Sequence, residues 1–159
     1  MNKIKKILIG IVWFLAVILA YFFIVVPTKE SFYRPVEFAR TEKIEILSPV
    51  LIKQEGKEIK LAGVIPPPKE TLLYKRATAE LRELVGNKKI KIKRVNTKFD
   101  SDYAFVWADE LFVNAELARQ GFVKADFNFA DGREFQEILK AVKEAQANQR
   151  GMWGEVEVK

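Results

Sequence analysis

Neither cysteine nor histidine occurs anywhere in the chain. That excludes disulfides, thiolate nucleophiles, imidazole bases and the usual zinc ligands together. A metal would have to be a hard cation held by oxygen. A general base would have to be Asp, Glu, Lys or Tyr. Acids are missing from the start of the chain, where none precedes Glu30. Internal repeats and low-complexity tracts are missing too. The lack of cysteine fits either redox compartment.

What is present begins with charge. The net charge of +6 over 159 residues is unevenly placed. Lys3, Lys5 and Lys6 sit at the very start. Setting these three aside leaves 24 basic against 21 acidic side chains in residues 27–159. That surplus of about three is too mild to read as a nucleic-acid footprint. The length allows one domain of ordinary size.

From Ile7 to Val26 there is no charged residue, and Pro27 follows. Twenty helical residues span about 30 Å, the thickness of a bilayer core. A cleaved signal peptide is the other reading. The run is longer than the ~7–15 apolar residues of such a segment, and no A-x-A site ends it. The expectation is one transmembrane helix over 7–26. Lys3, Lys5 and Lys6 precede it, against Lys29 and Arg34 after it, so residues 1–6 should stay in the cytoplasm. The remainder is then periplasmic or extracellular, on a single-pass anchor in the cytoplasmic membrane.

Residues 27–42 read as a linker and the approach to a first strand. Alternation then predicts strands at Lys43–Leu47, Val50–Lys53 and Glu58–Leu61, with a hairpin turn at Gln54–Lys57. Lys88–Val95 alternates Lys89, Lys91 and Lys93 with Ile90 and Ile92. Tyr103–Trp107 and Leu111–Val113 flank a turn at Ala108–Glu110. Leu73, Ala77, Leu81, Leu84 and Val85 recur at helical spacing, with Gly86 as a stop. Asn114 is expected to cap a short helix closed by Gly121. Asp131 and Glu134 have capping-box spacing and open a helix with Phe135, Ile138, Leu139, Val142 and Ala145 on one face, ended by Gly151. The pattern suits a small OB-type barrel with packed helices. An SH3-like barrel or an open α+β sheet suits it nearly as well.

The second half narrows this choice. Ala104–Val123 (AFVWADELFVNAELARQGFV) resembles the run A-Y-V-x-x-D-G-x-x-V-N-x-x-L-V-x-x-G-x-A of the staphylococcal nuclease (thermonuclease) family. Arg150–Gly154 resembles its G-L-W ending, and Lys60–Val64 resembles its strand R-L-x-x-V. Gly86–Ile92 (GNKKIKI) resembles G-K-x-V-x-I after the first helix, here about Leu72 to Val85. The resemblance covers roughly Lys43 to Gly154. It implies an α+β fold, a five-stranded OB-fold β-barrel with three packed helices, over 43–154, with a tail at 155–159.

The family's chemistry is calcium-dependent cleavage of phosphodiester bonds by two metal-binding aspartates, a glutamate and two arginines. Carried across by motif, the first aspartate falls at Ser48, in Ile46–Val50 (ILSPV). The second falls at Ile65 and the glutamate at Pro68, both within Lys60–Glu70 (KLAGVIPPPKE). The first arginine falls at Lys60, which keeps the charge but not the two-pronged guanidinium. The second falls at Ser101, in a shortened loop. Isoleucine and proline side chains can neither hold calcium nor take a proton, so no catalytic residue, metal or other cofactor is expected.

A rescue reading keeps a calcium-dependent nuclease alive. Glu70, Asp100 and Asp102 could be relocated acids converging on Lys60. The plainer reading makes them solvated surface acids, and it is preferred. The family's two pocket tyrosines fall at Phe127 and Phe129, which would share one side if the stretch were extended. A ring can stack on a base, although packing under the last helix is the preferred reading. Lys89, Lys91 and Lys93 with Arg94 could track a polyanion; the wet face of a half-buried strand is preferred. The expectation is therefore a pseudoenzyme with a candidate groove at Lys60, Phe127 and Phe129. Such a module would serve binding or assembly, with a protein or nucleic-acid partner beyond the membrane. Non-cleaving nucleic-acid capture remains a third reading.

Overall fold

The computed structural model of the chain describes residues 37–38, 44–95 and 102–154. The chain divides after Phe32, and all described residues belong to the second unit. The expected membrane span at 7–26 lies outside them. Among the described residues no helix is long and apolar enough to cross a membrane.

The order is β1 (Glu37–Phe38), β2 (Glu45–Ser48), β3 (Leu51–Gln54), β4 (Lys57–Leu61), β5 (Val64–Ile65), α1 (Leu72–Val85), β6 (Ile90–Val95), β7 (Tyr103–Ala108), β8 (Leu111–Phe112), α2 (Val113–Arg119), β9 (Lys124–Ala125) and α3 (Arg133–Ala147). Two 3₁₀ turns, Phe127–Phe129 and Gly151–Trp153, flank α3. The architecture is mixed α+β with three helices. The main sheet runs β1-β6-β7-β4-β3-β2, with β8 on β7. Among the described residues it is not closed into a barrel, because its ladder ends at β2 on one side and at β1 on the other. β5 and β9 form a separate pair that the alternation gave no sign of, being two residues each.

Local chemistry explains most element boundaries. The β3–β4 hairpin turns on Glu55 and Gly56, at φ 50° and 80°. Two consecutive left-handed residues match the twist of the flanking strands. α1 starts where Thr71 accepts the Tyr74 N–H at 3.1 Å, and Ala77, Leu81, Leu84 and Val85 form its buried stripe. It stops at Gly86, although Asn87 is the residue that turns left-handed, at φ 54°. α3 buries Phe135, Ile138, Ala141, Val142 and Ala145. After it, Gly121 and Gly151 meet backbone to backbone. A Cβ on Gly121 would lie 2.1 Å from the Arg150 oxygen.

Two expected caps are corrected. Asn114 does not cap α2; Phe112 occupies that position without a side-chain bond. Asn114 lies inside the helix with no exposed surface. Its Oδ1 accepts the Val106 N–H at 3.0 Å and its Nδ2 donates to the Ala62 oxygen at 2.8 Å. A buried polar side chain with such partners is better placed bridging two strands than capping a helix in water. α3 begins at Arg133, and Gly132 (φ 107°) rather than Asp131 holds the cap position, without a side-chain bond. Glu134 instead pairs with Lys93 at 2.6 Å. Gly151 opens the second 3₁₀ turn rather than ending α3, which stops at Ala147.

Replacing Asn114 by Ala should strand the Val106 N–H and the Ala62 oxygen. The expected cost is about 2–4 kcal/mol, measured by urea unfolding of the full chain. Asn114→Asp should cost at least as much, since its carboxylate would face the Ala62 and Ala104 oxygens.

Candidate functional site

One row of paired residues crosses the main sheet. Ser48 pairs with Leu51, Leu51 with Lys60, Lys60 with Tyr103, and Tyr103 with Val95. Directly paired residues point to the same face. Strands lie about 4.8 Å apart, so Ser48 and Lys60 stand on one face roughly 10 Å from each other. β2 and β4 are not neighbours; the β3 ladder between them aligns Ser48 with Lys60.

Lys60 is the charged member of this row. Its ammonium lies 5.6 Å from the centre of the Tyr103 ring. On the other side Tyr103 meets Phe129, with ring centres 5.0 Å apart. A chain of contacts thus runs from Lys60 through Tyr103 to Phe129. Tyr103 was passed over in the sequence, where it reads only as a strand residue. Its place directly before Ala104, on the same parity as the outward-facing side, was the available signal.

Phe127 and Phe129 do not share a side. Asp126 accepts the Asn128 N–H at 3.1 Å and winds the stretch into a 3₁₀ turn instead of a strand. Phe129 is turned inward and buried, while Phe127 is 67% exposed and touches Phe135 edge-on at 5.4 Å. Phe129 therefore belongs with Lys60 through Tyr103, and Phe127 stands apart on the surface.

The other residues that the resemblance singles out are placed as follows. Ser48 accepts the Val50 N–H at 3.4 Å and serves its own turn. Ile65 pairs with Lys124 at the short β5–β9 ladder and is 44% exposed. Pro68 is exposed, and its oxygen accepts the Thr71 hydroxyl at 2.8 Å. Ser101 and Asp100 lie outside the described residues.

Of the relocated-acid candidates, Asp102 meets Lys60 through the backbone. Its backbone oxygen accepts the Lys60 N–H at 2.8 Å. Its carboxylate, however, pairs with Arg94 at 3.1 Å. Glu70 is exposed at φ 67°, reversing the chain between the proline run and the Thr71 cap. Among the described residues no three acids are grouped so as to hold a metal ion.

The lysine stripe of β6 is engaged by its own fold. Lys93 forms the pair with Glu134 of α3, both side chains mostly covered. The Lys91 ammonium lies 5.9 Å from the centre of the Trp107 ring, and that ring stacks on Phe112 at 4.8 Å. Arg94 holds Asp102. Lys89 is exposed, next to a backbone bond from its own N–H to Asp109.

The paired row, the parallel β4–β7 junction and the helix order together make a mixed α+β scaffold with Lys60 on an open face. The chain belongs to the family described as staphylococcal nuclease homologue, whose model matches residues 58–155. No curated protein matches the chain. The family match begins within β4, so the β2–β3 hairpin carrying Ser48 lies ahead of it.

Lys93→Ala should leave Glu134 poorly solvated and cost roughly 1–2 kcal/mol. Glu134→Ala should cost a similar amount, and the double variant clearly less than the sum. Urea unfolding of the four proteins completes the cycle. Additive losses would mean that Lys93 is not committed to Glu134.

Proposed function

We propose that this chain is a membrane-anchored, extracytoplasmic module that keeps an OB-type nuclease scaffold without its hydrolytic chemistry, and uses it for binding or assembly. The observation that carries this reading is the occupancy of two family positions by Ile65 and Pro68. Neither side chain can coordinate calcium or accept a proton. Ser48 offers a neutral hydroxyl where the family has a metal-binding carboxylate. Removing a single electrostatic contributor of this kind commonly slows catalysis 10²–10³-fold, so losing these together removes the mechanism.

The anchor is supported by the uncharged run Ile7–Val26 and by the lysines that precede it. The cation–ring contact of Lys60 with Tyr103, backed by Phe129, supports a binding role at the old site. The relocated-acid reading is weakened by Asp102, whose carboxylate is already held by Arg94. It is weakened further by Glu70, whose exposed left-handed backbone explains its position as a turn residue.

The test is hydrolysis of single- and double-stranded DNA and of RNA by the detergent-solubilised full chain with calcium. No turnover above the protein-free blank is expected. Turnover that Glu70→Gln abolishes would overturn the inactive reading and restore an enzyme with relocated acids.

A further inference from the structure

The exposed face of α1 is laid out against the preference of its own helix. Leu72, the first helical residue, is 64% exposed. Lys75 and Arg76 follow at i+3 and i+4, share its face and are both exposed. Lys69, in the turn that leads in, is exposed as well. The first turn holds no acid. The positive end of a helix favours acids and disfavours cations, so these charges do not serve the helix.

Nor do they pair with acids within the described part of the fold. Lys93, Arg94, Arg119 and Arg150 all reach carboxylates. Lys69, Lys75 and Arg76 form no ion pair among the described residues. Leu72 gains little burial from the domain, while its neighbours Leu73 and Tyr74 are half covered. The helix presenting them is held rigidly by the Thr71 cap and the buried stripe of Ala77, Leu81, Leu84 and Val85.

An exposed leucine with Lys69, Lys75 and Arg76 in the adjoining turns, and Glu70 as the acid among them, suits a partner with anionic charge outside and hydrocarbon beneath. The headgroup layer of an acidic phospholipid bilayer has both. A nucleic-acid strand would suit the cations but not Leu72, because bases stack on aromatic rings. The inference rests on the anchored reading above for the nearness of a bilayer. The apolar run ends at Val26, and an extended chain from there to Glu37, where β1 joins the sheet, reaches at most roughly 40 Å. We infer that the N-terminal half of α1, through Leu72, Lys75 and Arg76, rests on an anionic phospholipid surface.

Because the chain has no cysteine, a single Leu72→Cys carries one nitroxide label on the full-length protein. A second protein carries the label at Lys140→Cys, exposed on α3. Both are studied with excess phosphatidylglycerol–phosphatidylcholine vesicles and with phosphatidylcholine alone. Electron paramagnetic resonance reads access to oxygen, which enters lipid, and to a polar nickel complex, which does not. The label at 72 should be lipid-buried on the acidic vesicles, not on the neutral ones, and released by high salt. The label at 140 should stay in water throughout. Lys75→Gln with Arg76→Gln should lower docking about 25-fold, some fivefold per cation.

Equal water access at 72 and 140 on acidic vesicles overturns the inference. So does equal burial on both vesicle types, or protection of 72 by a single-stranded oligonucleotide but not by acidic vesicles. Flotation after an alkaline wash reports the anchor separately. A chain stripped from neutral vesicles loses the anchor, while the label still reports whether α1 docks.

Discussion

Asn114 is the constraint on which the rest of this domain depends. Its side chain ties α2 to the end of β4 at Ala62 and to β7 at Ala104 and Val106. The Ala62 N–H donates to the Ala104 oxygen at 2.7 Å beside it. This is the junction where β4 runs parallel to β7 in an otherwise antiparallel sheet. Parallel pairing is slightly weaker per residue than antiparallel pairing, and β4 and β7 share only two paired positions. A fully buried amide with all its partners in place supplies the missing fixity. It also sets the register that puts Lys60 opposite Tyr103.

That register carries the site. The row from Ser48 through Leu51 and Lys60 to Tyr103 collects on one face residues from four strands. The row sets a hydroxyl, a lysine and a ring along one face of the sheet. Stepping out of β4, Gly63 at φ 75° lets the chain pass over Phe105, Phe135 and Ile138; a Cβ there would lie 2.9 Å from Ile138 Cδ1. The chain then leaves β5 into three prolines, whose fixed φ keeps it extended until Glu70 reverses it. Buried packing thus fixes the backbone around Lys60, while the charge that the exposed side chains carry there is set separately. Such a split is physically reasonable, because packing determines stability while exposed site residues contribute little to it.

The sequence disclosed the elements well where periodicity was long. The helix expected over Leu72–Val85 has those bounds, and α3 shows the expected apolar face with Leu139 half covered. Strand ends shifted by one or two residues, as at Lys88 and Val113. It failed where a side chain had two plausible partners. Asn114, Asp131 and Glu134 all had capping spacing, and tertiary contacts claimed Asn114 and Glu134 instead. The two-residue strands β5 and β9 are too short for alternation to register. Phe127 and Phe129 alternate as in a strand, but Asp126 offers the local hydrogen bond that favours a turn. The family was legible because the motifs around Lys60 and Ala104 are dense. The role of Tyr103 was not, since it arises only when β4 and β7 come together.

The most direct test of the account is a nuclear magnetic resonance titration of the full chain with calcium, alone and with a single-stranded oligonucleotide. The account predicts that the amides of Leu51, Lys60, Ile65 and Tyr103 keep their positions as calcium rises to millimolar levels. Saturable calcium-dependent shifts centred on that row would contradict it, because they would mean that the site still holds its metal.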